Sequence, residues 1–320
     1  MMAFDTQRTL ESPTGATLNL YSSAPQTHLR AVVQLNHGLA EHAARYARFA
    51  EFLKTRGVAL YAHDHRGHGY TKAPDAPLGH FGTDPAADKV IADVAAIHDA
   101  IARDHPGVPV IVFGHSMGSL IAMNFMLKHA QRAAGAAIWN CNFSAGLLGR
   151  LAQLVLAWEK FRLGSDVPSR ILPKLTFEAW AKEASDGRTP FDWLSRDQAE
   201  VDLYIADPLC GWDPSVGMWK AVFDFVFAGA DDRNFEGIRK DMPFHLLGGG
   251  GDPESRFGKT VTHLAERMRR MGFSNLVSTI YPETRHESLN ELNRDLIMAD
   301  FGRWIDDAVL GNGQRTPPAI

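Results

Sequence analysis

Residues 108–118 read Val-Pro-Val-Ile-Val-Phe-Gly-His-Ser-Met-Gly, and this stretch is the most informative part of the chain about its architecture. Apolar residues occupy consecutive positions up to Phe113, which is typical of a strand covered on both faces and hence of a parallel sheet. A helical pattern follows directly. Ser116 stands between Gly114 and Gly118, and glycine relieves crowding at a sharp strand-to-helix turn because it has no Cβ. The stretch therefore predicts a strand, a tight turn that presents a serine, and a helix.

Short apolar runs alternate with longer helical patterns on both sides of this stretch. Strands are predicted at residues 31–36, 57–63, 108–113, 135–139, 244–247 and 276–281, after an N-terminal hairpin that turns at residues 13–15. Helices are predicted at residues 84–105, 115–130, 260–271 and 287–308, the last with Leu289, Leu292, Leu296, Ile297, Phe301 and Ile305 on its apolar face. We therefore expect an α/β fold with a mostly parallel central sheet flanked by helices.

The alternation breaks between residues 142 and 240, where no clear parallel-strand run occurs. This stretch holds five of the seven tryptophans: Trp158, Trp180, Trp193, Trp212 and Trp219. We interpret residues 142–240 as a helical cap inserted into a core made of residues 1–141 and 241–320. Within the cap, Leu147, Leu151, Leu154 and Trp158 recur on one helix face. That face either packs against other helices or forms a lipophilic binding wall.

Composition excludes several classes of protein. The 320 residues include 33 Lys and Arg against 37 Asp and Glu, a net charge of −4, so nucleic-acid binding is not expected. Two cysteines cannot form a disulfide framework and cannot alone supply a structural zinc site. The N-terminus has no secretory signal pattern, and no apolar run approaches the length of a spanning helix. These features predict a soluble, cytoplasmic protein.

A serine hydroxyl is a poor nucleophile near neutral pH, so Ser116 needs a base, and the base needs an acid that orients it. In this kind of fold the chain order is serine, acid, histidine, with the acid and the histidine in loops after late strands. Asp252 follows the fifth predicted strand and His286 follows the sixth. Glu254 stands close to Asp252 in the same loop and is the alternative acid. We predict that Ser116, Asp252 and His286 form a catalytic triad.

The negative oxygen that develops during attack on a carbonyl also needs hydrogen-bond donors. We predict the backbone N–H of Met117, which follows the serine, and that of Leu39, in the loop after the 31–36 strand. His37 and His115, each two residues before one of these donors, are candidate substrate-binding residues. The candidate set is completed by Leu147, Leu151 and Trp158 of the predicted cap.

The chain resembles the α/β-hydrolase superfamily, in particular its monoacylglycerol lipase and lysophospholipase group, which is also filed with the serine aminopeptidase-like hydrolases. The matching motifs are HGLAEHAARY at 37–46, DHRGHG at 64–69, GHSMG at 114–118, PFHLLGGGGD at 243–252 and the loop of His286. The resemblance implies the same triad and oxyanion donors. It also implies a cap that shapes an acyl-chain channel and can contact a membrane surface transiently.

The leading hypothesis is a serine carboxylester hydrolase that acts on monoacylglycerol or lysophospholipid-type acyl esters, without a cofactor. A broad carboxylesterase that also accepts polyesters, and an aminopeptidase, are the alternatives within the same fold. The aminopeptidase would need acidic groups in the cap, for which the candidates are Asp202, Asp207, Asp213 and Asp224. A non-catalytic acyl-ligand binding protein is the alternative outside the enzymes.

Two motifs imitate other kinds of site. Residues 63–68, His-Asp-His-Arg-Gly-His, look like a metal cluster, but ligands must converge in space and the resemblance gives this loop a structural role. Residues 251–260 imitate a phosphate loop, although six residues separate the glycines instead of four. We therefore predict neither a metal nor a nucleotide.

Overall fold

The computed structural model of the chain describes residues 3–26, 28–144, 146–184 and 187–311. Its eight strands form one sheet in the order β1-β2-β4-β3-β5-β6-β7-β8. The strands are β1 (Thr6–Glu11), β2 (Thr17–Ser23), β3 (Ala31–Asn36), β4 (Val58–His63), β5 (Val110–His115), β6 (Gly135–Trp139), β7 (Phe244–Gly249) and β8 (Leu276–Tyr281). Strands β3 to β8 run parallel, and β1 and β2 join antiparallel at one edge. The predicted hairpin and mostly parallel sheet are confirmed.

The consecutive apolar residues of β5 are explained by layers on both sides of the sheet. Ile111 and Phe113 belong to a cluster that includes Phe301, whereas Val112 points into a separate cluster that includes Ile121. Because successive side chains of a strand point to opposite faces, both faces must be apolar when both are covered. All six residues of β5 are buried.

The described ranges contain ten α-helices. They are α1 (Ala47–Thr55), α2 (Ala86–Asp104), α3 (Met117–His129), α4 (Leu147–Leu163), α5 (Leu172–Leu175), α6 (Phe177–Ala184), α7 (Gln198–Ala206), α8 (Val216–Ala230), α9 (Lys259–Arg270) and α10 (Arg294–Trp304). Helices α2, α3 and α9 confirm the predictions to within two residues. No helix in these ranges is both long and apolar enough to cross a membrane.

The prediction of one helix over 287–308 was wrong at its start. A short 3-10 turn at Ser288–Asn290 precedes α10, which begins only at Arg294. Leu292 and Leu296, predicted on the apolar face, are exposed. The buried carboxylate of Glu291 explains the delay, because it accepts hydrogen bonds from the backbone N–H groups of Arg285 and Arg196 and thereby holds the segment as a loop.

Residues 142–240 contain helices α4 to α8, which all lie between β6 and β7 in the chain order. In the described part of this stretch no residue belongs to a strand of the sheet. The helices α4 and α8 pack against each other around Leu156, Val216 and Trp219. We refer to residues 142–240 as the inserted segment.

Candidate active site

Ser116 lies at the turn between β5 and α3 with φ of 55° and ψ of −125°, a conformation that L-residues rarely adopt. The two glycines make this turn possible. A Cβ on Gly114 would lie 2.1 Å from the carbonyl oxygen of Gly118, and one on Gly118 would lie 2.0 Å from that of Asn36. The backbone N–H of Ser116 donates to the Trp139 oxygen at 3.0 Å, which ties the turn to β6.

Asp252 and His286 are brought together from the ends of β7 and β8. His286 Nδ1 lies 3.0 Å from Asp252 Oδ1, and both side chains are buried. Burial by itself raises the pKa of Asp252, but the His286 ring and the hydrogen bond from Asn140 outweigh it, and the pKa falls below its usual value. An ionised Asp252 that accepts from Nδ1 leaves Nε2 as the basic nitrogen of a neutral imidazole.

Asn140 supports the Asp252 carboxylate and was not predicted from the sequence. Its Nδ2 donates to Asp252 Oδ2 at 3.0 Å, and its Oδ1 accepts from the Ser288 hydroxyl at 3.0 Å. Asn140 adopts a positive φ of 50° directly after β6. A polar residue at the carboxyl end of a parallel strand was the available signal, since those ends meet at one edge of the sheet.

Ser116 and His286 line the same cavity. Within the described residues no hydrogen bond joins Ser116 Oγ to the His286 ring. The backbone of Trp193 accepts from the His286 N–H at 3.3 Å, and the two rings lie 4.9 Å apart. The inserted segment therefore helps to hold the histidine loop at the cavity.

Leu39 and Met117, the predicted oxyanion donors, also line this cavity. In the described part of the chain the Leu39 N–H donates to no other protein group, and Met117 is the first residue of α3, whose N–H has no intrahelical partner. The loop of Leu39 is fixed from below by the buried Glu41, which accepts from the Gly38 N–H at 2.6 Å and from the Tyr46 hydroxyl at 2.8 Å.

A buried charge network joins this loop to the histidine loop. Arg45 Nη1 lies 2.7 Å from Glu41 Oε2 and 2.5 Å from Glu287 Oε1, 242 positions away in the chain. His115 Nε2 lies 2.9 Å from the His286 carbonyl oxygen, so it donates there. Burial lowers the pKa of His115, but Glu41 raises it more, and the net pKa lies above the usual value. Arg45 and Glu287 were not predicted from the sequence.

The cavity has a volume of about 200 Å³ and a predominantly apolar wall. Its aromatic residues come from the inserted segment: Phe177, Trp180, Phe191, Trp193, Tyr204, Trp212, Trp219 and Phe223. Four of the five tryptophans noted in that stretch therefore meet at one place. A cavity of this composition suits an acyl chain or another apolar group.

The structure brings only part of the predicted substrate-binding set to this cavity. His115 lines it, whereas His37 is fully buried behind the loop. Leu151 and Trp158 lie on the outer face of α4, half exposed to solvent and away from the cavity wall. The side chain of Leu147 lies outside the described residues.

The histidines of residues 63–68 form a buried cluster with His37. The ring centroids of His37 and His65 are 4.5 Å apart, and those of His63 and His65 are 4.6 Å apart. Both ring nitrogens of His63 and His65 lack hydrogen-bond partners in the described structure. No three of these rings bring ligand atoms within 4.8 Å of one another in the described part of the chain.

Two other groups of side chains do bring possible ligand atoms within 4.8 Å of one another in the described residues. One is His42, Asp207 and Cys210, and the other is Asp252, Glu254 and His286.

Glu254 lines the cavity together with Ser116 and His286, and its Oε2 has no hydrogen-bond partner in the described structure. Burial and the charge of Asp252 raise its pKa well above the usual value. The folded protein favours the neutral form of this carboxyl. Its contribution to the free energy of unfolding is therefore complete below the pKa that Glu254 has in the unfolded chain. That contribution is lost as the pH rises through the higher pKa of the folded protein.

Replacing Glu254 with Gln is therefore expected to stabilise the protein at pH 8 by about 1–3 kcal/mol and to change little at pH 4. Urea unfolding at both pH values measures the difference. The exposed Glu236→Gln is the matched control. An equal change at pH 4 and pH 8 would contradict the ionisation argument.

Comparison with known proteins places the chain in a family. The model of the family described as serine aminopeptidase, S33, matches residues 27–293. Monoglyceride lipase of Homo sapiens is 27% identical over 302 residues, which cover 90% of this chain and 86% of that one. Monoacylglycerol lipase of Mycolicibacterium smegmatis is 28% identical over 293 residues, covering 88% and 90%.

A solved thermostable carboxyl esterase from Bacillus coagulans superposes with a TM-score of 0.86 and 22% identity, over 97% of this chain and all of that one. At this identity the likeness concerns the fold alone. The chain belongs to the serine aminopeptidase S33 family, within the monoacylglycerol lipase-like group of α/β-hydrolases, and is a hydrolase of the lipase and esterase kind.

Proposed function

We propose that the protein is a serine carboxylester hydrolase that works through an acyl-enzyme on monoacylglycerol or lysophospholipid-type esters. The observation that carries this proposal is the hydrogen-bonded pair of Asp252 and His286 beside Ser116, on the wall of an apolar cavity. The sequence likeness to monoglyceride lipases supports the substrate class.

In the proposed reaction His286 Nε2 accepts the proton of Ser116 Oγ as that oxygen attacks the ester carbonyl. The N–H groups of Leu39 and Met117 donate to the oxyanion of the tetrahedral intermediate. His286 then donates the proton to the departing alcohol. Water repeats the sequence against the acyl-enzyme and frees the carboxylic acid. Catalytic hydrogen bonds are often long without substrate, so the Ser116–His286 bond is expected to form when an ester fills the site.

We further propose that the inserted segment acts as a cap. It supplies the aromatic wall of the cavity, and its α4 presents an exposed apolar face made of Leu151, Leu154, Trp158 and Phe161. Phe161 is 90% exposed. An apolar helix face open to solvent binds favourably at the boundary of a lipid layer, where these substrates reside. Leu151 and Trp158 then serve transient membrane contact instead of lining the acyl site.

The aminopeptidase alternative finds less support in the cavity. Asp202 pairs with Arg188, Asp207 with His42, and Asp224 with Lys220, and neither these three nor Asp213 lines the cavity wall. Glu41 and Glu287 line it but are paired with Arg45. A substrate ammonium would meet chiefly Glu254, which is favoured in its neutral form.

The test is hydrolysis of p-nitrophenyl esters from acetyl to dodecanoyl, with monoacylglycerol, lysophospholipid and an aminoacyl anilide assayed in parallel. We expect kcat/KM for the decanoyl ester to exceed that for the acetyl ester by at least about 10-fold, because each buried CH2 contributes about 0.8 kcal/mol before losses. Glyceride or lysophospholipid hydrolysis should far exceed anilide cleavage.

Trp219→Ala, which opens the cavity wall, is expected to weaken the chain-length preference, whereas the exposed Tyr70→Ala should retain it. A preference for acetyl over decanoyl esters would contradict the acyl-chain assignment. Turnover of the anilide alone would favour the peptidase.

A further inference from the structure

Three side chains of different metal-ligand chemistry meet beside the cavity, at the contact between the core and the inserted segment. They are His42, which precedes the 3-10 turn Ala43–Tyr46, and Asp207 and Cys210, which follow α7. His42 Nε2 lies 2.8 Å from Asp207 Oδ2, and ligand atoms of all three residues lie within 4.8 Å of one another. These atoms take no part in the proposed reaction and do not hold the loop of Leu39.

We propose that His42, Asp207 and Cys210 bind a zinc-like divalent transition-metal ion. An imidazole nitrogen, a carboxylate oxygen and a thiolate sulfur are the three ligand types of zinc, and three protein ligands leave one position for water. Ligand atoms around a tetrahedral ion lie about 3–4 Å apart, so small side-chain rotations complete the site. Magnesium and calcium prefer oxygen ligands and are disfavoured here.

The surroundings allow an ion to enter and to be held. The Asp207 side chain is 30% exposed and Cys210 is half-buried, whereas His42 is buried. Within the described residues the only hydrogen bond of the His42 ring is the one to Asp207, since Nδ1 has no partner. The ring can therefore turn toward an ion without breaking a second bond. Coordination deprotonates the thiol, so a carboxylate and a thiolate together neutralise a divalent charge.

Such an ion would join the inserted segment to the loop that carries Leu39. The Gly211 N–H donates to the Ala40 oxygen at 2.9 Å, and the Tyr204 hydroxyl donates to the same oxygen at 2.9 Å. Ala40 lies next to Leu39, whose N–H is the proposed oxyanion donor. The metal therefore adds a cross-link to a contact that already exists, and binding is expected to raise the melting temperature.

The test is titration of the full chain, freed of metal with a chelator, with Co²⁺ as the probe and Zn²⁺ as its competitor. We expect one Co²⁺ per chain with a thiolate-to-cobalt charge-transfer band, displaced by Zn²⁺. The band should disappear in Cys210→Ser and persist in Cys141→Ala, which alters the other cysteine. His42→Ala and Asp207→Asn should each weaken binding by at least about 10-fold.

The remaining outcomes overturn the proposal. A spectrum without the thiolate band places the ion elsewhere, as does a band that survives in Cys210→Ser. Loss of binding in Glu254→Gln would assign the ion to the group of Asp252, Glu254 and His286, which contains no sulfur. Circular dichroism and melting of each metal-free variant separate a folding defect from a lost ligand. Zn²⁺ should raise the melting temperature of Cys141→Ala but not of Cys210→Ser.

Discussion

Ser116→Ala is expected to lower kcat/KM for ester hydrolysis by about 10⁴- to 10⁶-fold while leaving the fold intact. In the proposed mechanism the hydroxyl oxygen of Ser116 forms the acyl-enzyme, and no other serine shares its place between the glycines of the turn. Alanine occupies less space than serine, so the strained backbone at φ 55° is not crowded further. Initial rates on the preferred ester, with circular dichroism of the variant, measure the effect.

Two further variants define the role of the partners. His286→Ala should match the loss in Ser116→Ala, and Asp252→Asn should cost about 10⁴-fold because it favours the wrong imidazole tautomer. A fluorophosphonate should add covalently to Ser116 in the parent protein and not in Ser116→Ala. The exposed Ser274→Ala is the control and should keep parent activity. Retained turnover or retained labelling in Ser116→Ala would refute the serine mechanism.

The second large effect is a loss of stability in mild acid. Burial lowers the pKa of His37, His63 and His68 from 6.5 to about 3 each, and lowers that of His65 well below 6.5. These rings are neutral in the folded protein but protonate near pH 6.5 when the chain unfolds. Their contribution to the free energy of unfolding is therefore complete above pH 6.5 and is lost as the pH falls toward 3.

At pH 5 each of the three rings with a pKa of about 3 lowers the free energy of unfolding by about 2 kcal/mol, and the three together lower it by about 6 kcal/mol. A typical protein has a total free energy of unfolding of about 5–15 kcal/mol. His115 and Glu254, whose pKa values are raised, offset part of this loss because they gain stability as pH falls. Glu41 and Asp252, whose pKa values are lowered, add to it only in the more acidic range of carboxyl groups.

His63→Phe tests this directly, since both ring nitrogens of His63 lack partners in the described structure and phenylalanine cannot protonate. Urea unfolding at pH 8, 6 and 5 should show that the variant loses about 2 kcal/mol less than the parent between pH 8 and pH 5. The exposed His263→Gln is the matched control and should follow the parent curve. Parallel curves for parent and His63→Phe would show that buried imidazoles do not drive the acid response.

The alternation of apolar strands and helices, the sharp turn at Ser116 and the loops of Asp252 and His286 were all predictable from the sequence. Each depends on short-range information. Strand and helix periods differ, the turn requires glycine at two positions, and residues that follow parallel strands meet at one edge of the sheet.

The spacing of apolar residues along the sequence could not reveal which face of α4 is buried. The sequence pattern marked Leu151 and Trp158 as the apolar face, whereas the fold buries Leu156 against α8 and leaves the marked face in solvent. The start of α10 was misjudged for a similar reason, because the buried carboxylate of Glu291 binds backbone N–H groups from other parts of the chain.

The sequence by itself therefore determined the order of elements, the turn that presents Ser116 and the loops that carry Asp252 and His286, because those follow from local backbone requirements. Only the tertiary structure decided the pairing of Arg45 with Glu287, the support of Asp252 by Asn140, the burial of four histidines and the meeting of His42 with Cys210. These contacts join residues far apart in the chain, and their energies depend on burial and distance, which no local pattern records.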